Sequence, residues 1–184
     1  MKNQLMGVVA AAVAVFFWGF LYWGATTIPY GPLKATAGDE AAQKALLEHF
    51  PETGMYLIPG MRNDDATMSR LTEAGPIAMV NFVREGQAVM DPSLMIRGFL
   101  LNVLIVFLLS MLLKKALPAL PTYGDRVMFA ALAGLTAVVM VNLGDAVWWR
   151  YDLGWVLSQA LYGLVASIIA GAVLGKFIRP EKAG

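Results

Sequence analysis

Four apolar stretches, each long enough to cross a lipid bilayer as a helix, constrain this chain more than any other feature. A helix needs about 20 apolar residues to cross a hydrocarbon core about 30 Å thick. The stretches run over 5–23, 95–113, 127–147 and 153–177. The composition agrees, because 58% of the 184 residues are hydrophobic, whereas soluble domains have about 45–50% apolar residues. The sequence therefore predicts an all-α integral membrane four-helix bundle.

The first stretch predicts an uncleaved signal anchor over residues 1–25. Lys2 precedes it, as a basic residue precedes a signal peptide. Its apolar core, however, is longer than the roughly 7–15 residues of a signal-peptide hydrophobic region. It also contains Phe16, Phe17 and Trp18, and no clean small-x-small cleavage site follows it. We therefore expect this segment to remain in the protein as its first membrane span.

The positions of lysine and arginine predict the orientation of the spans, because basic residues accumulate in short cytoplasmic segments. The short loop between the third and fourth spans holds one arginine, Arg150, between Asp145 and Asp152. Both termini are therefore predicted to be cytoplasmic, with residues 95–184 forming the last three spans in a bacterial inner membrane. The basic residues on the predicted cytoplasmic side are Lys2, Lys114, Lys115, Arg126, Lys176, Arg179 and Lys182.

Residues 26–94 are then extracytoplasmic, in the periplasm of a Gram-negative cell, and they are too many for a simple connector. An amphipathic pattern predicts a helix over 40–49 with Asp39 as its N-cap. A second short helix is predicted over 65–73, with Asp64 as its N-cap and a glycine–proline pair ending it. The segment therefore predicts a folded unit.

Strand-forming residues in the same segment predict a small α+β insertion between the first and second spans. One short strand is predicted over 55–58 and another over 77–83. A turn at 84–87 and a return strand at 88–90 would make a hairpin with the latter. A unit this small buries little core of its own, so we expect its apolar face to rest on the bundle or on another protein.

Aromatic residues gather at the predicted outer interface, the depth that amphipathic rings prefer. Two interpretations stay open. The rings anchor the spans in the interface, or they form a surface that receives a lipid or a partner subunit. The aromatic residues at this level are Tyr22, Trp23, Tyr30, Trp148, Trp149, Tyr151 and Trp155.

Small residues recur every four positions along the fourth span, at Gly163, Ser167, Gly171 and Gly175. Such a ladder lets another helix backbone approach closely in a membrane. Since each four-residue step drifts by roughly 40° around the helix, the ladder suits a right-handed crossing or two partners at different depths. Matching small residues occur in the first span, at Gly7 and Ala11, and in the third span, at Ala130 and Gly134. Packing within the chain and contact with a partner or a second copy both remain possible.

Three side-chain amides are predicted to lie at one depth, because Asn102, Asn142 and Gln159 all fall roughly 7–9 Å below the outer surface at about 1.5 Å per residue. Polar groups inside a membrane are costly unless they are paired. The amides therefore either form hydrogen bonds between helices or line a polar pocket. Tyr162 lies near the same level, and Asp145 and Arg97 sit at the rim, where we expect them to pair with each other, with Arg150 competing for Asp145.

Several kinds of chemistry are not supported by the sequence. The absence of cysteine excludes thiolate metal sites and disulfides within the chain, and the single histidine, His49, excludes a multi-histidine site. No metal and no cofactor are therefore predicted. The formal net charge of +1 disfavours nucleic acid as a partner. No carboxylate lies in the middle of a span, and no serine has a histidine base at membrane depth, so no catalytic residue is predicted.

The sequence alone therefore predicts a non-catalytic protein, an accessory or assembly subunit of a larger membrane complex. Its predicted partners are membrane lipids and either other membrane subunits or a second copy of the chain. The alternative is a small-molecule or lipid binding or transport protein with a polar pocket in the outer part of the bundle. A membrane enzyme is the third hypothesis.

The predicted orientation is tested by protease added to the outside of spheroplasts. Epitope tags fused to the two chain ends should both be protected, because both ends are predicted to lie inside. A tag inserted within 26–94 should be digested and serves as the accessibility control. Digestion of either terminal tag in intact spheroplasts would contradict the orientation.

Overall fold

The computed structural model describes residues 2–180, and the chain forms two compact units. The helical unit consists of the chain up to Leu33 and the chain from Pro92 onward, and the small unit is Lys34–Asp91. The elements in chain order are α1 (Lys2–Phe20), a π-helical segment (Leu21–Ala25), α2 (Asp39–His49), β1 (Gly54–Ile58), α3 (Asp65–Ala74), β2 (Ala78–Phe82), α4 (Pro92–Ala116), a 3₁₀ turn (Leu117–Ala119), α5 (Tyr123–Val138), a second π-helical segment (Val139–Leu143), α6 (Gly144–Trp148) and α7 (Leu153–Phe177).

The four predicted spans are all continuous helical segments, long and apolar enough to cross a membrane. They cover Lys2–Ala25, Pro92–Ala119, Tyr123–Trp148 and Leu153–Phe177. Three of them extend a few residues beyond the apolar stretches, because polar residues at their ends continue or cap the helix. The third span, for example, begins with a capping box in which the side chains of Thr122 and Asp125 each accept a backbone N–H.

The small unit contains two helices and one antiparallel pair of strands, close to the predicted content. β1 pairs with β2, and Tyr56 lies opposite Val80. Asp64 caps α3 as predicted, since its carboxylate accepts a hydrogen bond from the Thr67 N–H at 3.0 Å, which lowers the pKa of Asp64. Gly75 ends this helix in a left-handed conformation with φ of 62°, which glycine adopts at no steric cost.

Two local predictions for the small unit are wrong. Asp39 is the first residue of α2 and not its N-cap, a position that Gly38 occupies without a side-chain bond. Residues 88–90 form no strand, and β2 pairs instead with β1. The physical reason is that Thr53 holds the chain after β2. Its hydroxyl accepts the Arg84 N–H at 2.9 Å and donates to the Glu85 carboxylate at 2.7 Å, so the predicted turn does not form.

The core of the small unit is a short aromatic cluster. The ring of Phe50 lies 4.6 Å from that of Tyr56 and 5.5 Å from that of Phe82, measured between centroids. Neither α2 nor α3 contributes a buried residue. The unit therefore buries little apolar surface, as expected for about 60 residues.

In the helical unit, α7 lies at the centre. It packs extensively against α5 on one side and α1 on the other, whereas α4 packs mainly against α1 and has few contacts with α5. We call this sparsely packed line between α4 and α5 the seam. The buried core residues come from α1, α4, α7 and the residue immediately after α7, namely Val8, Ala11, Val15, Val106, Leu113, Ala170, Leu174 and Ile178.

The small-residue ladder of α7 faces one neighbour along its whole length, and that neighbour is α5 of the same chain. A Cβ on Gly171 would lie 2.5 Å from the Ala130 Cβ, and one on Gly134 would collide with the Ser167 side chain. At the two ends, Gly163 lies against Val138 and Gly175 against Tyr123. Packing within the chain therefore accounts for all four ladder positions, and Ala130 and Gly134 belong to the matching face.

Arg126 is a structural residue and not a free surface charge. It is 5% exposed, and its guanidinium donates to the carbonyls of Leu120, Pro121 and Gly175 at 3.0–3.2 Å. Beside it, the Tyr123 hydroxyl donates to the Ala172 carbonyl at 2.9 Å. These bonds attach the start of α5 to the end of α7, so the close α5–α7 contact is held at this end by hydrogen bonds.

The substitution Gly134→Ala is expected to destabilise the helical unit by about 1–3 kcal/mol, the usual cost of overpacking. The added methyl group collides with Ser167 and must push α5 from α7. The matched control is Gly98→Ala in α4, because nothing lies within 4 Å of the added carbon there. Thermal unfolding in detergent, followed by circular dichroism, compares the two variants. Equal melting temperatures for both would contradict the close helix contact.

Candidate functional site

A cavity of about 290 Å³ lies behind the seam, between α4, α5, the second π-helical segment and α7. We call it the amide cavity, because Asn102 from α4 and Asn142 from the π-helical segment both line it. Tyr162, Gly163 and Ser167 of α7 form its back wall. The cavity exists because α4 leans on α1 and leaves α5 largely uncovered at this level.

The amides of Asn102 and Asn142 have no hydrogen-bond partner within residues 2–180. Both residues are half-buried. Fully buried side-chain nitrogen and oxygen atoms in the same range all have partners, so the unbonded atoms of these two amides are not fully buried and are accessible from the cavity. Each amide offers two N–H donors and one carbonyl acceptor. The two side chains are therefore free to bind a polar group inside the cavity.

The amide cavity is lined by both polar and apolar side chains. Polar atoms come from Asn102, Asn142 and Tyr162. Most of the remaining lining is aliphatic, as at Leu109 and Ala170. Such a lining suits a guest with one polar and one apolar part.

Aromatic rings from α1 and the first π-helical segment pack behind Tyr162 in the wall of the cavity. The ring of Tyr162 stacks on that of Trp18 with centroids 6.3 Å apart, and it also contacts Tyr22 and Trp23. The Trp18 Nε1–H donates to the Tyr162 carbonyl at 3.2 Å, and the Tyr22 hydroxyl donates to the Ser158 carbonyl at 2.8 Å. These bonds fix α1 against α7, so the wall that carries Tyr162 is rigid.

Of the predicted rim and layer residues, Gln159 and Arg97 do not line the cavity. Gln159 is half-buried on the correct face of α7, but it lies about one helical turn beyond Tyr162 and Gly163. Arg97 is exposed on α4. It lies five residues before Asn102, a rotation of about 140° around the helix, and therefore points to a different face.

Asp145 also lies outside the cavity lining, and the second π-helical segment explains why. In a continuous α-helix, Asp145 would share a face with Val141 and Asn142. The i→i+5 bonding of Val139–Leu143 widens this turn and rotates the residues after it around the helix axis. Among the described residues, no ion pair joins Asp145 to Arg97 or to Arg150. The expected charged rim is therefore not formed.

Two features of the site escape prediction from the sequence. One is the π-helical segment itself, which carries no proline or glycine within it to signal its position; such segments are frequent at functional sites. The other is the bonding of Trp18 and Tyr22 to α7, since the sequence pattern assigns only Tyr22 to the outer interface and gives Trp18 no contact. Their spacing of four residues places both rings on one helix face, and this spacing was the available signal.

No protein-family model, curated protein or solved structure matches this chain. No cluster of three or more potential metal ligands occurs in the part of the chain that the structure describes. The function must therefore be inferred from the amide cavity and its surroundings.

Replacing an unpaired amide should not weaken the fold, whereas removing a buried hydrogen bond should. We expect Asn102→Leu and Asn142→Leu to leave the melting temperature unchanged or raised, because no partner loses a bond. Tyr22→Phe, at a residue 1% exposed, should cost about 0.5–1.5 kcal/mol through the lost bond to the Ser158 carbonyl. Melting in detergent measures all three. A larger fall in melting temperature for the asparagine variants than for Tyr22→Phe would show that the amides hold the helices together by hydrogen bonds.

Proposed function

We propose that this chain is a non-catalytic integral membrane protein that binds a small amphiphilic molecule or a lipid in the amide cavity. The observation that carries the proposal is that Asn102 and Asn142, from two different helical segments, line one cavity and that neither amide has a partner within residues 2–180. Unpaired amides in an apolar bundle are costly. A ligand that bonds to both of them would remove that cost.

The lining indicates that the bound part of the ligand is uncharged. No aspartate, glutamate, lysine or arginine lines the amide cavity. A phosphate or carboxylate would lose its hydration there without gaining an opposite charge. A carbonyl or hydroxyl group would instead find both donors and acceptors on the two asparagines. A quinone-like ring or the ester region of a lipid has this chemistry.

The size of the cavity indicates that it holds one part of a larger molecule. Its volume is about 290 Å³, at the lower limit of the roughly 300–1,000 Å³ typical of ligand sites. This is enough for one substituted ring or one ester group. The remaining apolar part of the ligand would lie along the seam, where α4 and α5 have few contacts.

A second candidate function is that of an accessory or assembly subunit, and the apolar surface of the small unit favours it. Met55, Met61, Val89 and Met90 are each more than 60% exposed there. Exposed large apolar side chains on a small unit favour a surface that contacts another protein. The ladder of α7 no longer supports this function, because α5 occupies it.

The binding proposal is tested by extracting the protein from its native membranes into mild detergent and identifying co-purifying small molecules by mass spectrometry. We expect an amphiphile with the wild-type protein, and about tenfold less with Asn102→Leu or Asn142→Leu, the effect of losing about 1.4 kcal/mol. The matched control is Thr136→Val on α5, a polar residue that does not line the cavity and whose hydroxyl bonds the Leu132 carbonyl.

Two outcomes would contradict these proposals separately. Equal recovery of the same molecules from the wild type and both asparagine variants, all folded, would overturn binding in the amide cavity. Recovery of the wild-type protein as a lone monomer, with no co-purifying chain, would count against the subunit function. The first result comes from the small-molecule fraction and the second from the protein fraction of one purification.

A further inference from the structure

A second and larger cavity, of about 580 Å³, lies at the end of the helical unit where the first turn of α1 meets the ends of α4 and α7. Lys114 and Arg179 line it from different helix ends, together with Asn3 and Gln4 of α1. We call it the basic cavity. It is distinct from the amide cavity, with which it shares no lining residue.

Within residues 2–180, the two cationic side chains of the basic cavity have no acidic partner. Within 2–25, 92–126 and 153–180, the sequence contains a single acidic residue, Asp125, and its carboxylate accepts the Thr122 N–H in the capping box of α5. Neither Lys114 nor Arg179 takes part in an ion pair with any residue that the structure describes. Both are exposed. Arg126 differs, because backbone carbonyls already satisfy its guanidinium.

An internal hydrogen bond holds the neutral wall of the basic cavity in place. The Gln4 Nε2–H donates to the Ser110 Oγ at 3.0 Å, and that hydroxyl donates to the Phe107 carbonyl at 2.7 Å. Ser110 is fully buried. Gln4 is thereby fixed against α4, while Asn3 beside it contributes a further amide.

An apolar surface continues from the basic cavity along α4. A neighbouring cavity of about 430 Å³ is lined by Gln4, Phe107, Met111, Lys114 and Lys115, and so shares Gln4 and Lys114 with the basic cavity. Phe107 and Met111 are 44% and 48% exposed. The structure thus joins two unpaired cations to an apolar groove, which is the pattern of a site for a molecule with an anionic head and a hydrocarbon chain.

We propose that this end of the helical unit binds one anionic phospholipid. Lys114 and Arg179 hold the phosphate of its headgroup, Asn3 bonds the neutral part of the head, and an acyl chain lies over Phe107 and Met111. Basic pockets between membrane helices bind anionic headgroups in this way. The inference rests on the proposal that the helices span a bilayer, and not on ligand binding in the amide cavity.

Native mass spectrometry of the full-length protein in detergent tests the inference with phosphatidylglycerol, phosphatidylcholine and inorganic phosphate as separate probes. We expect a bound phosphatidylglycerol, no phosphatidylcholine at the same concentration, and no displacement by millimolar phosphate. Lys114→Gln and Arg179→Gln should each weaken phosphatidylglycerol binding about fivefold. The matched control, Lys176→Gln, should not, because Lys176 is exposed near the same end and lines neither cavity.

Each alternative result overturns the inference in a distinguishable way. Equal binding of phosphatidylcholine would show that no anion is recognised. Displacement by inorganic phosphate would show a site for a free anion. An equal loss in Lys176→Gln would show a general effect of surface charge. Added sodium chloride provides a test on the wild type alone, because lipid binding through two cations must weaken as the salt concentration rises. Lipid binding that does not change with salt would also overturn the site.

Discussion

The close approach of α5 to α7 is the contact on which the rest of the helical unit depends. Gly134 against Ser167 and Ala130 against Gly171 leave no room for a further carbon atom between the two backbones. In a lipid-like solvent, close packing of this kind stabilises the association of helices, as the hydrophobic effect does in water. Because α7 uses its small face on α5 and another face on α1, α4 packs mainly on α1 and has few contacts with α5. The seam and the amide cavity result from that arrangement.

Polar groups in the helical unit fall into two classes, and the contrast between them supports the proposed sites. Trp18, Tyr22 and Arg126 donate to backbone carbonyls of other segments and fasten α1, α5 and α7 together. Asn102 and Asn142 donate to nothing within residues 2–180. The side-chain donors that are fully buried all have partners, whereas these two half-buried amides line a cavity, and this difference is the basis of the proposed binding site.

The sequence predicts the elements whose signals are local and periodic. The four spans and the Asp64 cap are predictable from apolar length and from a side chain three residues before its partner N–H. Counting residues along the helices predicts that Asn102 and Asn142 are near one another, and both line the amide cavity; that they share one depth stays a prediction. The direction in which a side chain points around its helix is harder to predict. Arg97 lies about 140° around α4 from Asn102 and so faces another side. The π-helical turn before Asp145 rotates the residues that follow it, and no sequence signal marks that turn. The hairpin expected after β2 failed because Thr53, 31 residues away, bonds Arg84.

The seam has a consequence for how a molecule would reach the amide cavity. With the four helices across a bilayer, as proposed, the gap between α4 and α5 would face the hydrocarbon. A guest would then enter from within the membrane, and the concentration that matters would be its mole fraction among the lipids. A compound with low aqueous solubility but strong partitioning would saturate such a site, whereas a freely soluble one would seldom encounter it.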